Sequence, residues 1–458
     1  TLWDPDWKMN PGKVVLPNKM DDDLRLGAGY QPWQPETHFK FPQDHGSLAE
    51  ATLRCVGVGK CRQYEGGLMC PSFRVTREEQ HSTRGRAHLL WEMLNGKLVH
   101  GQWYDKDVKS SLDLCLSCKG CKSDCPVGVD VATYKAEFLA HYYRGRNRPL
   151  LHYAFGYVDR LARLGSRMPR VANSLLRWPI MRSLATAAGL SSHRQVPPLA
   201  EKSFQRSYRP SRAAAAAESQ RVVLWPDTFN NYFHPETALA AVEVLQAAGF
   251  SVTVPRGRVC CGRPLYDFGM LNRAKKLLRR TLTTLSAEID AGIPVVVLEP
   301  SCASVFRDEL VNLFPEDERA KKLSSQVFLL SEFLQHMVPD FKLPQLGGKA
   351  LMHGHCHHKS VLKITDEEAV LRRLGIDFTA PAQGCCGMAG AFGFEHDKYD
   401  VSVAIGELEL FPAVRETAPD TMIIADGFSC REQIQQCTGR KTMHLAEVIQ
   451  KGLQKSKV

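Results

Sequence analysis

The chain has 458 residues, 44% apolar and 24% charged, with fifteen cysteines and a formal net charge of +10. These proportions belong to a folded protein of two to four domains and exclude a disordered tail, a collagen-like chain and a small disulfide scaffold. No apolar run reaches the ~18–20 residues of a bilayer span and no signal peptide is visible. A cytoplasmic protein is expected, with membrane-peripheral contact left open, and the start at Thr1 reads as a piece of something longer or as a processed chain.

In chain order, residues 1–49 are rich in Pro, Gly, Asp and Lys without sustained periodicity, a loop-dominated lead-in. Residues 50–145 carry seven cysteines among helical stretches at 78–94 and 131–143. Residues 146–220 are basic. The stretch 141–221 holds fifteen Lys and Arg against three acids, which leaves 44 basic and 46 acidic residues elsewhere, so the positive charge is a property of this segment. Apolar residues at helical spacing there (Leu150, Ala154, Tyr157, Leu161, Leu164) predict surface helices and a linker that ends in Pro197-Pro198 and the alanine run 213–217. An acidic partner or an anionic lipid surface is the functional alternative. Nothing resembles an aromatic-interleaved basic stripe, so nucleic acid is not expected.

The remaining residues repeat. In 221–345, a strand at 221–224, a helix at 238–248 and a strand at 251–254 precede Cys260-Cys261-Gly262, and a strand at 294–298 runs into Ser301-Cys302. In 346–458, a strand at 350–352, a helix at 367–374 and a strand at 377–380 precede Cys385-Cys386-Gly387, and a strand at 421–425 runs into Ser429-Cys430. Short apolar strands alternating with helices predict two α/β units with mostly parallel sheets.

Adjacent and tightly spaced cysteines make poor disulfides and point to metal or redox chemistry in a reducing compartment. Cys115-x2-Cys118-x2-Cys121-x3-Cys125-Pro126 has the bacterial ferredoxin spacing for a 4Fe–4S cluster. Four thiolates in eleven residues are too crowded for the paired knuckles of a zinc site. Upstream, Cys55-x5-Cys61-x8-Cys70-Pro71 lacks one cysteine, its place taken by Val58. With crossed wiring, Cys115, Cys118, Cys121 and Cys70 hold one cluster. Cys55, Cys61 and Cys125 hold a second, which needs a non-cysteine ligand or is a 3Fe–4S centre. Uncrossed wiring, and Cys55 and Cys61 as free thiols, stay open. The expected architecture is α+β and multi-domain, a helical ferredoxin-like unit followed by two Cys-Cys-Gly repeats.

In the second repeat Cys356, Cys385, Cys386 and Cys430 converge on the strand edge where ligand sites of open α/β sheets form. The first offers only Cys260, Cys261 and Cys302, with Asp227 or its neighbour where the fourth cysteine would be. A further cluster, zinc or bare redox thiols are the alternatives for both. His353, His355, His357 and His358 surround Cys356; they read as loop histidines bonded to backbone, with a metal ligand or proton relay as the alternative. Cys437 is a spare.

These motifs resemble the iron–sulfur subunits of glycolate oxidase, anaerobic glycerol-3-phosphate dehydrogenase and lactate-utilisation systems, and the repeats of heterodisulfide reductase. A narrower likeness rests on Arg54-Cys55-Val56-Gly57-Val58-Gly59-Lys60-Cys61, Met69-Cys70-Pro71-Ser72, His81-Ser82-Thr83-Arg84-Gly85-Arg86-Ala87, His353-Gly354-His355-Cys356-His357 and 428–434. They resemble the C-terminal iron–sulfur half of FAD-linked D-2-hydroxyacid dehydrogenases of the D-lactate or D-2-hydroxyglutarate type. Asp4-Pro5-x3-Met9-Asn10-Pro11-Gly12-Lys13 is similar to the segment closing the flavin domain there, which sets Asn10 near the flavin.

The resemblance implies an electron-transfer module without dehydrogenase activity of its own. FAD would lie on a flavin-dehydrogenase domain or subunit, electrons would go to a quinone or carrier protein, and a homo-oligomer stays open. It divides the chain into a flavin-domain remnant and linker (1–49), a 4Fe–4S domain (50–145), a basic helical linker (146–220) and the two repeats (221–345 and 346–458). A heterodisulfide or thiol reductase is the competing reading. Both repeats, however, lack the second cysteine of the terminal Cys-x-x-Cys of that form.

Overall fold

The computed structural model describes residues 3–9, 11–13, 16–20, 26, 29–209, 220–255, 257–381 and 384–455. Asn10 and the alanine run 213–217 lie outside them.

Helices dominate the first half. Three of those in the cysteine-bearing region begin on side-chain caps that satisfy orphan N–H groups. Ser82 caps Thr83–Asn95, Asp105 caps Lys106–Asp113 and Asp130 caps Val131–Tyr142. Leu90, Leu94, Val108, Leu112 and Phe138 from these helices are buried together. The incoming segment is pinned to them. The Glu137 carboxylate, fully buried, accepts from the backbone N–H groups of His38 and Phe39.

Two parallel sheets fill the second half. The first contains β1 (Arg221–Leu224), β2 (Ser251–Thr253), β3 (Val295–Val297) and β4 (Val327–Leu329) in the order β2-β1-β3-β4. The second contains β5 (Lys349–Met352), β6 (Asp377–Thr379) and β7 (Met422–Ile424) in the order β6-β5-β7. Leu224 pairs with Val296 in one and Met352 with Ile424 in the other, so the two central pairs correspond residue for residue. Where the first sheet adds β4, the second keeps a single parallel bridge between Ile424 and Met443. Parallel neighbours need crossover connections, which the intervening helices supply.

The repeats pack on each other by exchanging helices. Pro235–Ala247, after β1, lies on Leu445–Lys455, and Leu330–His336, after β4, lies on Thr365–Arg373, after β5. Leu224, Val296, Met352 and Ile424 therefore share one buried core. The first repeat also packs directly on the helical half, through Phe39, Tyr266, Val295 and Phe306 in another core.

Among the described residues the basic segment forms five helices, Leu150–Gly156, Val158–Gly165, Pro169–Arg177, Pro179–Ala187 and the short Phe204–Ser207. Its first helix touches both repeats, His152 stacking on Phe268 and Phe155 packing on Phe394. Pro169–Arg177 and Pro179–Ala187 bury no residue. Among the described residues no helix is long and apolar enough to cross a membrane.

Candidate metal and electron-transfer centre

Cys115, Cys118 and Cys121 are buried around a loop in which Ser117 and Lys119 both take left-handed backbone, φ 52° and 58°. The loop thus doubles back tightly and keeps the three thiols within one another's field. Burial pushes Cys118 well above its ordinary value, with Cys356 and then Cys121 as the next causes. Burial, Asp130 and Cys115 push Cys121 up to about 12. Cys125 is half-buried where the helix Gly120–Asp124 ends.

Cys70 arrives from a distant segment. Its sulfur accepts from the Thr83 N–H at 2.9 Å and lies 2.8 Å from the Thr83 hydroxyl. Burial raises its thiol, and a hydrogen bond links it to Cys61, which that bond lowers to about 6. The Cys121 charge also acts on Cys70. Cys70 therefore stands between Cys61 and Cys121, and Cys55, half-buried, shares the field of Arg84 with Cys61.

The loop 116–119 is gripped by both repeats. The Ser117 carbonyl accepts from His357 Nε2 at 3.0 Å and from Arg263 Nη2 at 3.3 Å, and the Ser360 hydroxyl donates to the Cys118 carbonyl. Lys119, only 1% exposed, pairs with Asp308 and lies 3.4 Å from Asp130 and 3.2 Å from Glu309. A buried ammonium is tolerable only with such partners, so this lysine pins the loop to the first repeat. The arrangement sets Cys118 beside Cys356 and Cys385 in one small core with Leu68, Leu116 and Phe392.

In the second repeat the sequence-predicted thiols come together. Hydrogen bonds run from Cys356 to Cys385, from Cys385 to Cys386 and from Cys386 to Cys430. The Cys385 bond, with His355 nearby, brings Cys356 down to about 7. Bonds from Cys385 and Cys430 take Cys386 well below its usual value. His353 joins them, its ligand atom within 4.8 Å of those of Cys386 and Cys430. It is buried, burial lowers its pKa, and a bond to the Cys386 thiol opposes that shift. Four buried thiols and a buried imidazole are soft donors that fit a metal or iron–sulfur group. His357 does bond to backbone, as the sequence suggested for the loop histidines, but His353 does not. The signal for it was its place at the end of β5, three residues before Cys356.

The first repeat gathers less. Cys261 and Cys302 lie 2.9 Å apart and Cys260 bonds to Cys261. The Cys261 bond pulls Cys302 down, but burial, Asp227 and Glu299 win and push it to about 12. Strand register assigns Thr228, the neighbour of Asp227, to the place of Cys356, and Trp225 to that of His353. The Thr228 hydroxyl lies 3.9 Å from the Cys260 sulfur. Asp227 instead caps the helix Thr228–Tyr232, accepting from Phe229 and Asn230 N–H. Burial and Glu299 raise its carboxyl to about 6.

Between the repeats lies an apolar cavity of about 120 Å³, lined by Cys356, His355, Phe155, Phe268, Phe394 and Phe428 among others. It abuts the second centre.

Residues 51–129 match the 4Fe-4S dicluster domain, and 227–307 and 351–435 each match the Cysteine-rich domain. The lactate utilization protein A of Bacillus licheniformis is 32% identical over 50% of this chain and 98% of its own length. The chain belongs to this family of cysteine-rich iron–sulfur proteins. One component of the anaerobic glycerol-3-phosphate dehydrogenase of Escherichia coli is 27% identical to this iron–sulfur protein over 78% of the chain and 89% of the component's own length. The D-2-hydroxyglutarate dehydrogenase of Pseudomonas putida is 28% identical over 98% of the chain and 48% of the enzyme. The iron–sulfur protein thus spans about half the length of that relative and corresponds to its iron–sulfur half.

Proposed function

We propose that this chain is the iron–sulfur electron-transfer half of a FAD-linked D-2-hydroxyacid dehydrogenase of the D-lactate or D-2-hydroxyglutarate type. It carries electrons from a flavin domain or subunit to a quinone or carrier protein. The observation that carries the reading is the continuity of the buried thiols. Cys61 bonds to Cys70, Cys70 lies in the field of Cys121, and Cys118 adjoins Cys356, from which the chain of thiols runs to Cys430.

When bound, iron–sulfur clusters supply one-electron acceptance and release at potentials set by burial and nearby donors. Cys115, Cys118, Cys121 and Cys70 would hold one cluster and Cys55, Cys61 and Cys125 a second. Cys356, Cys385, Cys386 and Cys430, with His353 at hand, would hold a third metal or cluster. The protein's part is to exclude water and to supply N–H donors to sulfur, as Thr83 does at Cys70 and Arg84 at Cys61. The phenylalanine-walled cavity at Cys356 supports a small planar apolar acceptor near the last centre. Val56, Val58 and Tyr64, exposed around Cys55 and Cys61, support entry of electrons at that end.

The test is anaerobic reconstitution of the full chain with the flavoprotein half. Addition of D-2-hydroxyglutarate or D-lactate should bleach the cluster absorption only when the flavoprotein is present. Robust hydroxyacid turnover by the chain alone would sink the reading. Iron and labile sulfide separate the centres: about four iron for one cluster, about seven or eight for two, more when the repeats contribute.

A further inference from the structure

The basic segment presents a face that neither repeat covers. Leu164, Met168, Leu175, Trp178, Ile180 and Leu184 are 47–65% exposed, on three consecutive short helices and at the residues that precede the second and third. Single exposed leucines are ordinary, but a continuous row of large apolar side chains is not. Arginines are interleaved with them: Arg160, Arg163, Arg167, Arg177 and Arg182, together with Arg170, which pairs with Glu201 at 3.1 Å. From 158 to 187 the single acid is Asp159, and it is buried and already paired with Arg258 at 2.8 Å.

A second observation lies beside this row. A cavity of about 680 Å³ is lined by Arg163, Arg167, Arg206 and Arg209 with Ser203 and Tyr208, and among the described residues its wall has no acidic side chain. Arg206 is partly engaged, donating to the Ser166 carbonyl at 2.9 Å. The cluster has the chemistry of a phosphate site.

We propose that the helices Val158–Gly165, Pro169–Arg177 and Pro179–Ala187 form a membrane-docking face for an anionic phospholipid bilayer. Leucines and Trp178 enter the boundary between headgroups and acyl chains, and the arginines, with the four-arginine cavity, take the phosphates. Apolar side chains alternating with arginines, a tryptophan at the edge and no span-length helix describe a helix that lies in the interface plane. Charge complementarity selects this occupant over an ordinary protein interface. Protein interfaces lose charge at their centre, whereas here cation and apolar side chain alternate along the whole row. The inference does not depend on which hydroxyacid or acceptor the protein serves.

The experiment is flotation of the iron-loaded full chain with vesicles of phosphatidylcholine alone or with about one-third phosphatidylglycerol. Flotation is expected with the anionic vesicles and at least about tenfold weaker with the neutral ones or in 0.5 M salt. Arg163→Gln with Arg167→Gln should weaken anionic binding about tenfold or more. Leu175→Glu with Trp178→Glu and Leu184→Glu should abolish it. The cluster absorption spectrum and thermal midpoint of every variant should match the parent, since these side chains are exposed. Inorganic phosphate at millimolar concentration should not release the protein; full release would make the cavity a free-phosphate site and overturn the membrane assignment. Failure to float on anionic vesicles overturns it, as does equal binding to neutral vesicles. Loss of flavoprotein assembly in the triple-glutamate variant, with no vesicle binding by the parent, assigns the face to that partner instead.

Discussion

The two repeats share strand register, a Cys-Cys-Gly turn and a Ser-Cys after the third strand, yet only the second assembles a full set of soft ligands. Where the second has Cys356 and His353, the first has Thr228 and Trp225. A hydroxyl is a poor ligand for iron or zinc beside thiolates, and an indole is none at all. The first repeat keeps its vicinal thiols but turns its charge to holding the assembly together. Its Asp308 and Glu309 bind Lys119 of the cluster loop, and its Glu299 accepts from the Phe428 N–H of the other repeat.

The largest effect is expected from paired cysteine changes. Cys386→Ser should remove the metal of the second repeat, and Cys261→Ser should leave iron and labile sulfide per chain unchanged. Equal losses would erase the distinction. Next, Thr228→Cys should give the first repeat a fourth thiol and raise metal content on anaerobic reconstitution, detectable by metal analysis and by a new EPR signal.

Third, the two turn glycines should differ sharply. Both need left-handed backbone, φ +82° at Gly262 and +87° at Gly387. A Cβ on Gly387 would lie 2.0 Å from the Ser402 carbonyl oxygen, whereas on Gly262 its nearest neighbour is Ala274 Cα at 3.6 Å. Gly262→Ala should cost about 1–2 kcal/mol for the backbone alone. Gly387→Ala should cost about 3 kcal/mol or more because a backbone atom must also move. Denaturant midpoints of the two variants decide it.

The smallest effect concerns pH. Asp227 has its folded value raised to about 6 by burial and Glu299. Its contribution to stability is therefore complete below the unfolded carboxyl value of about 4 and is lost as pH rises through about 6. Between about pH 5 and pH 7 the parent should lose about 1 kcal/mol relative to Asp227→Asn, which can still cap the helix. Parallel stability curves for the two proteins would remove Asp227 from the account.

Much of this was legible in the chain itself. Strand–helix–strand periodicity gave both parallel sheets, because a buried strand and its crossover helix leave local hydrophobic patterns. Cysteine spacing marked both the dicluster region and the repeats, because closely spaced thiols on a tight turn can face one centre. The positive charge was legible as the property of one segment. What lay beyond reach depended on residues brought together from afar. No local pattern says that Cys70 bonds to Cys61 while feeling Cys121, that Lys119 will be buried among Asp130, Asp308 and Glu309, or that Cys118 will adjoin Cys356. Sequence left the first repeat's replacement as Asp227 or its neighbour; strand pairing made it Thr228, because only the pairing fixes which backbone positions correspond. The sequence alone thus determined the cysteine groups, their order along the chain and the missing thiol of the first repeat. The tertiary structure decided which thiols adjoin one another and which positions of the two repeats correspond, because proximity and burial are set by packing between segments far apart in the chain.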